Sequence, residues 1–592
     1  MNFLKNILSS FIGSFLAIMV GGFVFLVFAV AIIMVVVDQT ESSESTTGNN
    51  KMLQIDLSNE LVEYKESSPF DDIELPGFLG SESQEGLIQL LEAIDKAAAD
   101  DEIKGVFLNL SGITAGYSQV KEVRDHLLAF KEKSEKPVFA YSEVLSEKAY
   151  YLASVADQLY MMPEGLLEFN GLSIDRMYYK NLLEKLEVKP RIFRVGQFKS
   201  AVEPFLREDM SEPNRQQLKE FSESIYGEML KEIALSRNME AVSLRTISDG
   251  LKVRKVTDAV ELGLIDEAIY QDEAIAKTKS YFELDENDKI TFISPNTYMK
   301  KSAEKDVATK VAVVIAEGEI VSGKSFDNYL GSTSFAKDLK KAKDDENVKA
   351  IVVRINSPGG SAMASDVMWR AIQQTAKVKP VIASMSSVAA SGGYYMAMAC
   401  DSIVAEPVTI TGSIGVFGVL FEIDEFLKNK LGITTDRENT GQFSDLGSPM
   451  RKMTPMDSAI IQTEVNRIYE VFTEKAAQSR GMSVEQLKSY AGGRVWSGIE
   501  AKQIGLVDEL GGLDRAVMIA AEKAGITDYK VSYISDEKNF FEKLSGDYST
   551  SLADEVIKEK IGEEQYYYLQ MVEQMKRFQG VRAILPYDLK ID

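Results

Sequence analysis

In 592 residues the sequence has one cysteine, Cys400, and one histidine, His126. A single cysteine excludes an intrachain disulfide. Cys400 ends the apolar run MAMAC, with no base beside it, and reads as a small buried residue. One histidine and one cysteine leave too few ligands for the common zinc sites. His126 lies in VKEVRDHLLAF, away from any motif, so it reads as structural or solvent-facing and a Ser-His-Asp triad is not supported. Basic charge is also in deficit: 66 Lys and Arg against 90 Asp and Glu give a net charge of -24. Phosphate backbones need a basic footprint, so nucleic acid is excluded as a partner, and no basic patch for anionic lipid stands out. Nothing in the pattern calls for a metal or an organic cofactor.

What is present is an ordinary globular composition, 45% hydrophobic and 26% charged, long enough for several domain-sized units. Residues 11 to 37 form an uncharged apolar run, long enough to span a bilayer as one tilted helix. It exceeds the usual length of a secretory signal core, so it reads as an uncleaved anchor. Lys5 before it and Asp38, Glu41 and Glu44 after it favour an N-inside topology. Residues 1–10 then form a cytoplasmic N-terminus. The polar stretch 38–50 reads as a flexible linker.

The remainder is a diverged tandem repeat, with copies expected at 51–300 and 301–592. Four landmarks recur in order. GVFLNLSG (105 to 112) matches AIVVRINSPGG (350 to 360). The segment 136 to 159 matches 379 to 403. GQFKSAVEPF (196 to 205) matches GQFSDLGSPM (441 to 450). DAVELGLIDEA (258 to 268) matches EAKQIGLVDEL (500 to 510). In the second copy VAVVIA, AIVVRI, PVIASM and SIVAEP read as buried strands, and MASDVMWRAIQQTAK and GGYYMAMAC as helices. This alternation predicts an α/β fold of parallel βαβ units, with chemistry at the carboxyl ends of the strands.

Two loops there carry the chemistry. Asn356-Ser357-Pro358-Gly359-Gly360-Ser361 follows AIVVRI, and Ala389-Ala390-Ser391-Gly392-Gly393 follows PVIASM. Ser391 at a strand-to-helix junction suits a nucleophile, and the N–H groups of Gly360 and Gly392 suit an oxyanion hole. In the first copy Glu147-Lys148-Ala149 stands where the second has Ser391-Gly392-Gly393, and Lys199 stands where the second has Ser444. The copies have diverged in complementary ways, which predicts a composite site with Ser391 as nucleophile and Lys199 as base. A lysine can act as a base near neutral pH only if burial depresses its pKa. Phe198, Ala201, Val202, Pro204 and Phe205 supply apolar surroundings, while Glu203 and Arg194 must point elsewhere.

The motifs RINSPGGS, ASGGYY, TGSIGVFG and GQFKSAVEPF resemble the signal peptide peptidase A (protease IV) family in its long, two-repeat form. The resemblance implies tandem repeats of the Clp protease/crotonase fold behind one transmembrane helix. It matches Ser391 to the nucleophile, Lys199 to the general base and Ser413 to a serine that holds the lysine. Gly360, Gly392 and the neighbouring Gly359 fall on the oxyanion loops. Its implied substrates are cleaved signal peptides and other short or unfolded exported chains. Its implied setting is a bacterial cytoplasmic membrane, with the body on the periplasmic or extracytoplasmic side as a homotetramer. Two other readings use the same pattern: a crotonase-type acyl-CoA enzyme and a non-catalytic membrane scaffold. Met385, Met396, Val416 and Phe417 are expected either to line an apolar pocket or to be plain core. The stretch from 526 to 592 matches nothing nameable; QYYYLQMVEQMKRF within it reads as an amphipathic helix suited to oligomer contact.

Overall fold

The computed structural model describes residues 21, 50–65, 84–110, 112–285, 288–300, 308–535 and 580–585. The expected anchor, save Gly21, the linker up to residue 49 and the amphipathic segment 565–578 lie outside these residues. Among the described residues no helix is long and apolar enough to cross a membrane.

Each copy builds its own sheet. In the first, six strands run in the order Glu267–Ala268, Gln158–Leu167, Val138–Leu145, Ile103–Asn109, Lys51–Ile55 and Thr291–Ile293. In the second, the strand Lys310–Glu317 lies between the edge strand Lys530–Ile534 and Val348–Ser357, parallel to both. Val381–Ala390 follows, parallel to Val348–Ser357. Parallel strands covered on both faces are nearly all apolar, hence the VAVVIA run and the AIVVRI run, which only Arg354 interrupts. Helices Ser332–Asp344 and Ala362–Ala376 send Phe335, Leu339, Met368 and Ile372 against one face. Leu513–Ala524 packs Ala516, Val517 and Ala520 against the other, alongside Val311, Val313, Val352 and Ile382. The four strands expected in the second copy are all present. The helix expected through Cys400 is shorter, spanning Gly392–Ala397. Cys400 lies beyond its end, half-buried against the core of the second copy, and desolvation holds its thiol pKa well above the usual value.

A third sheet joins the copies. Its order is Tyr329–Gly331, Glu319–Val321, Gly359–Ser361, Gly580–Ile584, Phe417–Glu422 and Lys189–Arg194. The last strand belongs to the first copy, and it pairs antiparallel with Phe417–Glu422 over six residues. A strand from one copy thereby completes a sheet of the other.

A buried ionic lock makes the second connection. Arg354, inside the apolar strand Val348–Ser357, is fully buried, as is Glu63 of the first copy. Arg354 Nε donates to Glu63 Oε2 at 2.7 Å, Nη2 to Glu122 Oε1 at 2.5 Å and Nη1 to Ser384 Oγ at 3.0 Å. Glu63 also accepts from Gln119 and Ser386, and Glu122 from the Leu513 amide. Close by, burial and the Glu63 carboxylate push the Glu317 carboxyl up to about 8. His126 makes a smaller link between the copies: Nδ1 lies 3.1 Å from Asp95 and Nε2 3.5 Å from Asp514. These contacts give the lone histidine the structural role expected of it.

Candidate active site

Ser391 sits where Val381–Ala390 turns into the helix Gly392–Ala397, with φ 55° and ψ -108°. A non-glycine residue rarely adopts that conformation; holding it costs on the order of 1–3 kcal/mol, which the surrounding structure must supply. Part of that support is the bond from the Ser391 amide to the Gly412 carbonyl, at 2.9 Å. The turn directs the hydroxyl away from the strand, toward Lys199.

Lys199 arrives from the other copy. After Lys189–Arg194 the chain is held by the Val195 amide on the Val416 carbonyl and the Phe198 amide on the Gly492 carbonyl. The short helix Ser200–Val202 follows immediately. Gln217 donates to the Phe198 carbonyl at 3.0 Å, and the Arg494 guanidinium lies over the Phe198 ring. The lysine is completely buried. Its Nζ lies 2.8 Å from Ser391 Oγ, 2.9 Å from Ser413 Oγ and 3.0 Å from the Ser413 carbonyl oxygen. These partners carry no charge. Desolvation therefore dominates and holds the ammonium pKa well below its ordinary 10.5. A neutral amine has one lone pair and two N–H groups, which suits one hydroxyl donor and two acceptors. Glu203 points elsewhere, as required: it is bound by the Ser211 amide and hydroxyl and by Asn214 Nδ2. Arg194 is exposed.

Two glycines not singled out in the sequence make room for the lysine. A Cβ on Gly415 would lie 3.3 Å from Lys199 Cδ. Gly493, at φ +85°, is tighter: a Cβ there would fall 2.6 Å from both Lys199 N and Cβ. Gly493→Ala is expected to lower kcat about 10- to 100-fold, because misplacement by about 1 Å costs that order of rate. It should also cost about 1–3 kcal/mol from overpacking and positive-φ strain. Steady-state kinetics together with urea unfolding check both effects.

The two glycine-rich loops lie against each other. Asn356 ties them together, accepting from the Val388 amide at 3.3 Å. Gly359 has φ +97°, and a Cβ on it would lie 2.6 Å from the Gly392 amide nitrogen. The two loops thus approach more closely than any side chain would allow. Of the pocket candidates, Met385, Met396 and Val416 are core, packed with Ile355 and Tyr394. Phe417 instead joins a smaller cluster with Ala201, Val202 and Phe205, beside Lys199.

The equivalent point in the first copy is filled. Glu147 opens the helix Glu147–Ala153 and accepts from the Asn170 and Gly171 amides at 2.9 and 2.8 Å and from the Tyr226 hydroxyl at 2.7 Å. Ser444, the counterpart of Lys199, is exposed and bonded to the Gly441 carbonyl. Glu147→Ala should therefore destabilise the chain by about 1–3 kcal/mol by orphaning three donors, while kcat stays within about twofold of wild type. Denaturant unfolding and a peptidase assay on the same preparation separate the two.

A family model, Peptidase family S49, matches residues 130–285 and 373–527, so Lys199 falls in one match and Ser391 in the other. The chloroplastic serine protease SPPA of Arabidopsis thaliana is 36% identical over 454 residues, covering 74% of this chain and 66% of that protein. Protease 4 of Haemophilus influenzae is 34% identical over 469 residues, 75% of each chain. Protease 4 of Salmonella typhi is 34% identical over 473 residues, 77% of this chain and 74% of that one. A solved ClpP1 mutant from Listeria monocytogenes overlaps 35% of this chain and 94% of its own, at 20% identity and a TM-score of 0.24.

Proposed function

Since this chain belongs to peptidase family S49 and is accordingly a serine protease, we propose that it cleaves peptide bonds with Ser391 as nucleophile and neutral Lys199 as general base. One observation carries this reading: a fully buried lysine, free of any carboxylate contact among the described residues, 2.8 Å from a serine hydroxyl held in a strained turn. The Ser391 hydroxyl donates to the Lys199 lone pair, while the two lysine N–H groups donate to Ser413, which fixes their direction. When Ser391 Oγ attacks a carbonyl carbon, its proton passes to Nζ. The charge that develops on the carbonyl oxygen is met by the Gly360 and Gly392 amides; one such donor is worth about 10²–10³ in rate. The resulting ammonium, buried without a counter-ion, is a strong acid and returns the proton to the leaving amine. Water then hydrolyses the acyl-enzyme by the same base.

Substrates in this reading are cleaved signal peptides and other short or unfolded exported chains, which reach a site enclosed by both copies. The apolar run 11 to 37 anchors the chain in a bacterial cytoplasmic membrane with the body on the outer side. Assembly into a homo-oligomer, a tetramer by family resemblance, belongs to the same proposal. The crotonase-type and scaffold readings have nothing comparable in their favour once a base faces the serine.

The test is covalent labelling with a serine-directed phosphonofluoridate, followed by peptide mapping. The expected adduct is on Ser391 alone. A folded chain that remains unlabelled at Ser391 would contradict the assignment.

A further inference from the structure

No strand or helix carries Lys199. It has φ -76° and ψ 70°, and lies between the strand Lys189–Arg194 and the short helix Ser200–Val202. A turn of this kind has no ladder of its own to fix its register, so its neighbours must do so.

One side chain grips the turn on both sides of the lysine. Gln217, in the helix Glu212–Arg237, is almost completely buried. Its Nε2 donates to the Phe198 carbonyl at 3.0 Å and to Ser200 Oγ at 3.1 Å, and lies 3.2 Å from Asn214 Oδ1. Its Oε1 accepts from the Val495 amide of the second copy at 3.3 Å. A backbone carbonyl can only accept and a backbone N–H can only donate, so these two partners fix which end of the carboxamide faces which copy.

The strand on the far side belongs to the other half of the site. Val495–Ser497 runs antiparallel to Ile410–Gly412, pairing Val495 with Gly412. The Gly412 carbonyl holds the Ser391 amide, and the Arg494 carbonyl accepts from the Ser413 amide at 2.7 Å. Gln217 thus bonds to the turn that carries the base and to the strand that sets Ser391 and Ser413. Two more contacts keep the helix alongside that strand: Glu220 pairs with Arg494, and Ser224 Oγ lies 2.7 Å from Ser497 Oγ. Their spacing puts residues 217, 220 and 224 on one helix face. Stability alone does not account for the glutamine, because the bonds of a buried carboxamide do little more than offset its desolvation. A satisfied polar group does, however, specify one arrangement of its partners.

We propose that Gln217 is a positioning residue for the reaction: by bonding to both copies at once, it sets Lys199 Nζ within reach of Ser391 and Ser413. This rests on the pairing of Ser391 with Lys199 proposed above.

A double-mutant cycle on the rate of Ser391 modification by the phosphonofluoridate tests it, with the folding of each protein followed by urea unfolding. Gln217→Met keeps a similar volume and removes both polar ends. It is expected to slow the reaction about 10- to 100-fold, the order of loss for a group misplaced by about 1 Å. Added to Lys199→Ala, the same substitution should change the remaining rate by less than about twofold, because a residue that acts through the lysine then has nothing to position. In peptide cleavage the loss should fall on kcat, with KM within about twofold of wild type. Gln217→Asn draws both polar ends back by one methylene and serves the same cycle if Gln217→Met does not fold. A folded variant that reacts at the wild-type rate overturns the proposal. So does an equal loss in the wild-type and Lys199→Ala backgrounds, which marks a merely structural role; in both cases a slow Lys199→Ala leaves the dyad standing. If Lys199→Ala itself reacts at the wild-type rate, the base assignment falls and takes this proposal with it.

Discussion

Lys199→Ala is expected to lower kcat for peptide cleavage about 10³-fold or more, with the fold retained. General-base catalysis contributes about 10²–10⁴ in rate, and no other base faces Ser391 Oγ among the described residues. The loss should fall on kcat rather than KM, because the partners of Nζ are the nucleophile and Ser413. The same residue has an opposite effect on stability. Its folded-state pKa lies well below 10.5, the ordinary value it regains on unfolding. Between those two values the unfolded chain binds a proton that the folded chain refuses, so stability rises with pH across that window. Below the folded pKa the penalty is fully present; above 10.5 it is absent. Lys199→Met, which keeps the apolar stem, should therefore raise the melting temperature at pH 7. The advantage should shrink as pH approaches 10.5, and a calorimetric scan at pH 7 and pH 10 checks this. An inactive variant that is more stable than its parent is the expected mark of a residue kept for chemistry.

Arg354→Ala is expected to destabilise the chain by about 3–5 kcal/mol, seen as a lower urea midpoint. The guanidinium neutralises two buried carboxylates from the first copy, Glu63 and Glu122, and its removal leaves both without their cation. Breaking such a pair costs more than the pair contributes, because the orphaned charge stays buried. The triple variant Arg354→Met, Glu63→Gln, Glu122→Gln should recover a large part of the loss, since no charge is then stranded. Activity should fall with stability in the single variant, because Ser391 and Lys199 come from different copies and meet only when both are docked.

How much of this was legible in the sequence depends on what kind of signal each residue leaves. Ser391 and Lys199 were readable because duplication supplies an internal control: wherever one copy departs from the other, the departure marks a role. The parallel strands were readable because burial on both faces demands nearly continuous apolar runs, as in VAVVIA and AIVVRI. Arg354 was visible as a charge inside such a run, but its partner Glu63 lies 291 residues away and leaves no pattern. Gly415 and Gly493 were missed because their task is to be absent beside Lys199, and loop glycines are common. Gly580–Ile584 was missed for a related reason. It is held by backbone pairing, which any extended sequence can supply, so GVRAIL carries no motif. The helix at Ser391 was overestimated, since MAMAC continues an apolar run whose last residues are turn.

The most direct measurement is the pH dependence of Ser391 phosphonylation by the phosphonofluoridate, in wild type and in Lys199→Ala. With Lys199 as base, the wild-type rate should rise through a single ionisation well below the ordinary lysine value of 10.5 and then level off, while the variant reacts about 10³-fold more slowly without that ionisation. Equal rates in the two proteins, or the same ionisation persisting in Lys199→Ala, would contradict the pairing of Ser391 with Lys199.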